Sequence, residues 1–173
     1  METALVLVMH GAIPRDFPRE ELREYFQLHE QVEHGRGSEE LRARYEELER
    51  RLRGWPRTAE NDPFYAGSQE LAEALQAATG LKVWLAFNEF CAPSTPEALR
   101  QAYEAGARRI IVLTPMMTRG GGHSERDIPR DIARFRERYP DAQVEYLWPL
   151  DPRDVARFLA EQLQKRFGLT LAV

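Results

Sequence analysis

Four short, strongly apolar, β-rich runs constrain this chain more than any other feature: Ala4-Leu-Val-Leu-Val-Met9, Val83-Trp-Leu-Ala-Phe87, Ile110-Ile-Val-Leu-Thr114 and Val144-Glu-Tyr-Leu-Trp148. The first and third lack the alternation of a sheet with one wet face, so they read as parallel strands covered on both sides. Helical patterns with legible ends lie between and after them. Ser68 is placed to cap a helix carrying Leu71 and Leu75 on one face and stopped by Gly80. Thr95-Pro96 opens a second, with Leu99, Ala102 and Tyr103 inward and Gly106 at its end. A third begins near Asp127, because Pro129 is tolerated only in a first turn; it carries Ile128, Ile132 and Phe135 and is closed by Pro140. Asp151-Pro152 opens the last, whose Val155, Phe158, Leu159, Leu163 and Phe167 form an apolar stripe. Such alternation predicts an α/β fold, a four-stranded parallel sheet of order 2-1-3-4 flanked by helices, with right-handed crossovers.

The first crossover is far longer than one helix requires. Residues 14–67 are dense in Arg and Glu and hold two helical patterns, Arg19 to about His34 and Ser38 to about Arg53, with Leu41, Tyr45, Leu48 and Leu52 at helical spacing in the second. We expect a helical insertion within a single domain spanning residues 1–173, because so few apolar residues cannot build a core of their own. The 28 acidic and 24 basic residues give a formal net charge of −4, which argues against a general nucleic-acid binder. No apolar run approaches the ~20 residues that cross a bilayer. The acidic start, Met1-Glu2-Thr3, leads straight into a strand and does not read as a signal peptide. The single cysteine, Cys91, excludes an intramolecular disulfide framework and fits a cytoplasmic location.

In open parallel sheets, ligands bind beyond the carboxyl ends of the strands, where strand order reverses. Three segments occupy that edge: Met9-His10-Gly11-Ala12; Asn88-Glu89-Phe90-Cys91-Ala92-Pro93-Ser94; and Pro115 to Pro129, which contains Gly120-Gly121-Gly122-His123. With strands one and three adjacent, His10 and His123 flank one crevice, and Glu89 approaches from the other side of strand one. Two imidazoles and a carboxylate suit a borderline divalent ion such as Co²⁺, Ni²⁺, Fe²⁺ or Zn²⁺, and imidazole also moves protons near neutral pH. The glycine triplet lets backbone approach a flat or anionic ligand, and the following helix N-terminus favours a carboxylate. Each feature also has a plain reading: a turn, a surface carboxylate, a structural histidine. His29, Glu33 and His34 can face one ion but more simply form a solvated helix face. Trp55, Phe64 and Tyr65 can cover a ligand or pack the insertion onto the sheet. Met116 and Met117 suit a core role, and Cys91 that of an inert buried thiol.

The start of the chain, Ala4-Leu-Val-Leu-Val-Met-His10-Gly11, the Phe87-Asn-Glu89-Phe segment with Pro93, and above all Gly122-His123-Ser-Glu-Arg-Asp127-Ile128-Pro129 resemble the sirohydrochlorin chelatases, the short CbiX/SirB-type class II tetrapyrrole chelatases. The resemblance covers residues 1–12 and about 81–168. It implies that His10 is metal ligand and proton acceptor, that His123 is the second ligand, and that Thr118, Arg119, Gly120, Gly121 and Gly122 line the tetrapyrrole. Arg119 and Arg126 are candidates for pairing with the ring's carboxylates. Three departures accompany it. Ala12 stands where the family often has Ser, and Ala92 where many members have an acidic residue, which leaves open whether Glu89 takes that residue's place as a catalytic group. The insertion is foreign to the short chelatases; its Asp16-Phe-Pro-Arg-Glu-Glu, Tyr25-Phe and Arg44-Tyr45 patterns are loosely similar to protohaem-type ferrochelatases.

The function the resemblance implies is ATP-independent insertion of Co²⁺, Fe²⁺ or Ni²⁺ into sirohydrochlorin or a related tetrapyrrole. The metal is then a substrate, no cofactor is tightly bound, and the partners are the macrocycle and, by resemblance to the short forms, a second copy in a homodimer. A haem-pathway ferrochelatase-like enzyme and a non-catalytic metal or tetrapyrrole carrier are the alternatives. A histidine phosphatase, which also has His-Gly after strand one, is disfavoured because Met9 stands where its phosphate-binding arginine belongs.

Overall fold

The computed structural model describes residues 2–170, apart from the side chain of Glu33. Strands β1 (Glu2–Met9), β2 (Lys82–Phe87), β3 (Ala107–Leu113) and β4 (Gln143–Leu147) form one parallel sheet in the order β2-β1-β3-β4, as the sequence pattern predicts. The helices are α1 (Arg19–Glu33), α2 (Glu39–Arg53), α3 (Pro63–Thr79), α4 (Thr95–Glu104), α5 (Ile128–Arg138) and α6 (Pro152–Phe167). Central strand β1 is buried continuously from Ala4 to Met9, which is why it carries no polar residue there. On one face Ala4, Val6 and Val8 meet Leu99 of α4 and Ile128, Ile132 and Phe135 of α5. On the other, a smaller cluster of Leu7, Met9 and Phe87 packs against Ala72 and Tyr65 of α3. Register sets Met9 opposite Phe87 and Leu7 opposite Leu113, so the loops after β1, β2 and β3 open along one edge.

Two expectations need correction. Ser68 does not cap its helix: α3 begins five residues earlier, with Asp62 accepting from the Tyr65 amide and Pro63 in the first turn. Ser68 is buried inside the helix and satisfies its hydroxyl by donating to the Phe64 carbonyl. The excursion after β1 therefore ends near residue 62, and the rest is the ordinary crossover helix. That excursion also builds a small core of its own, from Phe17, Tyr25, Leu48 and Leu52, with Tyr45 and Trp55 beside them. Aromatic rings supply the volume that its few aliphatic residues lack, and Phe90 from the loop after β2 joins the cluster. The expected apolar stripe of α6 is present but enters none of these three clusters: the helix has no buried residue, and Phe158, Leu159, Leu163 and Phe167 are exposed.

Leu52 is fully buried at the end of α2. Leu52→Ala is expected to lower unfolding free energy by about 2–5 kcal/mol, the range for a truncated core leucine, measured by urea denaturation.

Candidate metal centre

The site begins where the β1–β2 ladder should stop. Two further backbone bonds continue it: the Asn88 amide donates to the Met9 carbonyl and the Glu89 amide to the His10 carbonyl, both at 3.0 Å. They place Glu89 beside His10. Gly11 makes the approach possible, since its φ is +116° and a Cβ there would lie 1.8 Å from the Glu89 carbonyl oxygen. The His-Gly pair is thus one unit, a side chain for the site and a bare backbone that lets the neighbouring loop close on it.

The third group arrives from the loop after β3. Gly120, at φ +91°, turns that loop, and a π-turn over His123–Asp127 leads into α5, with the Ile128 amide bonded to the His123 carbonyl. Pro129 accounts for the widened turn: it cannot donate to the Glu125 carbonyl, and its ring would crowd that carbonyl in a regular helix. Ser124, wholly buried, anchors the turn by donating to the Gly121 carbonyl, while the Tyr146 hydroxyl of β4 donates to the Ser124 carbonyl at 3.0 Å. His123 is therefore fixed from below, with its ring in the crevice.

One oxygen of Glu89 stands between the two imidazoles, 3.7 Å from His10 Nδ1 and 3.6 Å from His123 Nε2. The rings lie 5.1 Å apart at 74°, and one ligand atom from each residue falls within 4.8 Å of the others. Donors around a tetrahedral ion at ~2.1 Å are separated by roughly 3.4 Å, so the spacing needs only small side-chain adjustments to close on a metal. His10 and Glu89 are open enough to be reached from solvent. Asp127 accepts from His123 Nδ1 at 2.8 Å, which assigns the proton to that nitrogen and leaves Nε2 free to coordinate.

Two cavities meet at His123. The first, about 380 Å³, is lined by Met9, His10, Phe64, Met116, Thr118 and Gly122, with His123 at its margin. The second, about 330 Å³, is polar and runs beneath the insertion, where Glu49 and Arg53 face Glu89, His123, Asp127 and Asp131. Burial holds the Asp131 carboxyl above its ordinary value.

Of the residues expected at the ring, Thr118, Gly121 and Gly122 line the first cavity; Arg119 and Gly120 stand outside its lining, and Arg126 rests its guanidinium against Gly122. Phe64 and Met116 reach the cavity, whereas Trp55 packs on Phe17 and Tyr65 on Phe87. His29 pairs with the Tyr45 hydroxyl and His34 with the Glu30 carbonyl, which separates the alternative helix-face group; the Glu33 side chain lies outside the described residues. Cys91 is buried, and burial pushes its thiol up to about 11, consistent with an inert role. The role of Asp127 escaped the sequence reading, although its place four residues after His123 was the available signal.

Comparison with known proteins matches residues 53–167 to the CbiX family model, a span that leaves out β1 and nearly all of α1 and α2. A sirohydrochlorin cobaltochelatase of Methanocaldococcus jannaschii is 46% identical over 51 residues, 30% of this chain and 35% of that protein. A sirohydrochlorin ferrochelatase of Priestia megaterium is 33% identical over 60 residues, 35% of this chain and 22% of that one. The chain thus aligns with about a third or less of the length of these relatives. The crystal structure of the sirohydrochlorin chelatase SirB from Bacillus subtilis subspecies spizizenii, in complex with cobalt, shares the fold with a TM-score of 0.53 and 17% identity, over 96% of this chain and 51% of that one. The family model alone spans more than half of the sequence, and the chain belongs to the CbiX family.

Proposed function

We propose that this protein inserts a divalent metal ion, Co²⁺, Fe²⁺ or Ni²⁺, into sirohydrochlorin or a close relative, without nucleotide hydrolysis or a resident cofactor. The observation that carries this reading is the convergence of His10, Glu89 and His123 on one point at the edge of a cavity lined largely by apolar groups. A flat macrocycle seated there, against Phe64, Met116 and the Gly121-Gly122 backbone, directs its central nitrogens toward the histidine pair. The polar groove beyond His123 is left for the hydrated ion and the departing protons.

Insertion replaces two pyrrole N–H protons by one divalent ion, so the site must hold the ion and take protons in turn. His123 is organised for the first task, with Nδ1–H committed to Asp127 and Nε2 facing Glu89. His10, more open and within reach of the same carboxylate oxygen, is suited to coordinate the ion and then accept a proton as the ring takes the metal over. Glu89 compensates the charge of the incoming ion and of whichever imidazole becomes protonated. We assign the ring's peripheral carboxylates to Arg126, whose guanidinium lies against Gly122, and to Arg119 of the same loop, which would reach them outside the cavity lining.

A second copy of the chain completes this reading. α6 presents Phe158 at 47% exposure and Phe167 at 64%, with Leu159 and Leu163 between them, a stripe that no other element among the described residues covers. The solved Bacillus structure has about twice the aligned length, so one copy of this chain corresponds to half of it. We assign the stripe to a homodimer interface, and the reaction to the cytoplasm. Among the described residues no helix is long and apolar enough to cross a membrane.

Incubation with sirohydrochlorin and Co²⁺, followed by the absorption of the macrocycle, tests the activity. His10→Ala and His123→Ala are each expected to reduce the insertion rate by at least 100-fold (about 2.7 kcal/mol). Unchanged rates would overturn their roles, and metal binding without turnover by the parent protein would leave a carrier. Asp127→Asn should weaken Co²⁺ binding by about 10–100-fold in a direct titration, because the amide no longer fixes the His123 tautomer. Phe158→Asp combined with Leu163→Asp should convert the dimer to a monomer by light scattering; a parent that is already monomeric refutes the interface.

A further inference from the structure

Beyond Glu89 the extended ladder ends, and the carboxylate loop is held by something else. Phe90 adopts φ 57°, a left-handed conformation that a bulky residue keeps only when its surroundings impose it. Its ring packs against Tyr25 and Phe26 of α1, and the backbone of its loop is held by two arginines from the end of the insertion. Arg53, the last residue of α2, donates from Nη1 to the Cys91 carbonyl and from Nη2 to the Asn88 carbonyl, each at 3.0 Å. Its own carbonyl accepts from the Ala92 amide at 3.1 Å. One planar fork therefore straddles Glu89 and Phe90. Arg57 goes deeper. Its Nε donates to the Trp55 carbonyl, Nη1 to Ala12 and to the Asp62 carboxylate, and Nη2 to the carbonyls of Leu52 and Phe90. All five N–H donors are used, and the side chain is 5% exposed against 1% for Asp62.

This arrangement joins the loop two residues after His10, the loop immediately after Glu89, the end of α2 and the cap of α3 in one knot. We propose that Arg53 and Arg57 are positioning residues for the metal centre: through the backbone of residues 88–92 they set where the Glu89 carboxylate stands between His10 and His123, so that the insertion governs affinity for the divalent ion. The inference rests on the reading that these three side chains bind metal. Arginine is required because a rigid fork reaches two carbonyls at a defined separation, which a lysine ammonium does not.

Charge and position make opposite predictions here, which makes the test decisive. Arg53 lines the polar groove with Glu89 and His123, so removing its positive charge should tighten binding of a cation if charge alone matters. Positioning predicts the reverse. Co²⁺ titrations monitored by calorimetry and by the visible absorption of bound Co²⁺, alongside thermal melts without metal, should be made on the parent, Arg53→Met, Arg53→Lys and His10→Ala. Arg53→Met is expected to bind Co²⁺ about tenfold or more weakly and with a changed spectrum, and Arg53→Lys, which restores charge without the fork, to stay weak. Parent-like or tighter binding with an unaltered spectrum in either Arg53 variant overturns the positioning role while the metal centre stands. Failure of the parent to bind Co²⁺ removes the metal centre itself. Arg53→Lys keeps the stem and charge, so the comparison survives even if Arg53→Met does not fold.

Discussion

Two backbone hydrogen bonds beyond the last formal pair of β1 and β2 govern the rest of the site. A parallel ladder leaves its strand ends free to diverge, and divergence here would carry Glu89 away from His10. Because the Asn88 and Glu89 amides go on pairing with Met9 and His10, the two loops leave the sheet together, and glycine at position 11 spares them a side chain that would part them. Once that pair is placed, β3 brings the third group from the opposite side simply by lying next to β1. A sheet of order 2-1-3-4 therefore assembles a three-donor centre from three separate segments, the outer two of which, at His10 and His123, are 113 residues apart.

The surroundings of the centre divide by polarity. On the side of Met9, Phe64 and Met116 there is room for a flat, largely apolar body; on the side of Glu49, Asp127 and Asp131 there are carboxylates that favour a hydrated cation. His123 stands on the boundary, and its Asp127 bond orients it without filling either space. The π-turn is what makes this economical, since it accommodates Pro129 and presents His123 and Asp127 to each other within one turn. The resemblance motif Gly-His-x-x-x-Asp-Ile-Pro thus has a mechanical meaning at each of its fixed positions.

Much of this was legible in the sequence because it follows from local rules. Continuous apolar runs marked the strands, Pro and Gly marked most helix ends, and the topology rule located His10, Glu89 and His123 at one edge. What was hidden depended on contacts remote in the chain. Ser68 looked like a cap because nothing local says that Asp62, six residues earlier, already performs the task. The insertion reads as too polar for a core because its volume comes from aromatic residues far apart in it, Phe17, Tyr25, Tyr45 and Trp55, with Phe90 added from another loop. Arg57 was one arginine among many, and its meaning lies in carbonyls that no periodicity reveals.

The insertion and α6 answer the same difficulty in different ways. A four-stranded lobe of this size has a short sheet edge, and three loops leaving that edge have few neighbours to restrain them. The insertion supplies restraint within the chain: its aromatic core takes Phe90 as a member, so the loop bearing Glu89 is packed as well as hydrogen-bonded. α6 instead presents a long apolar stripe that nothing among the described residues covers, and exposed aromatic surface of that kind is costly in water unless another surface meets it. The two devices lie far apart in the sequence, and the knot around Arg57 draws on no residue of α6, so the centre at the strand ends is stiffened from within the chain.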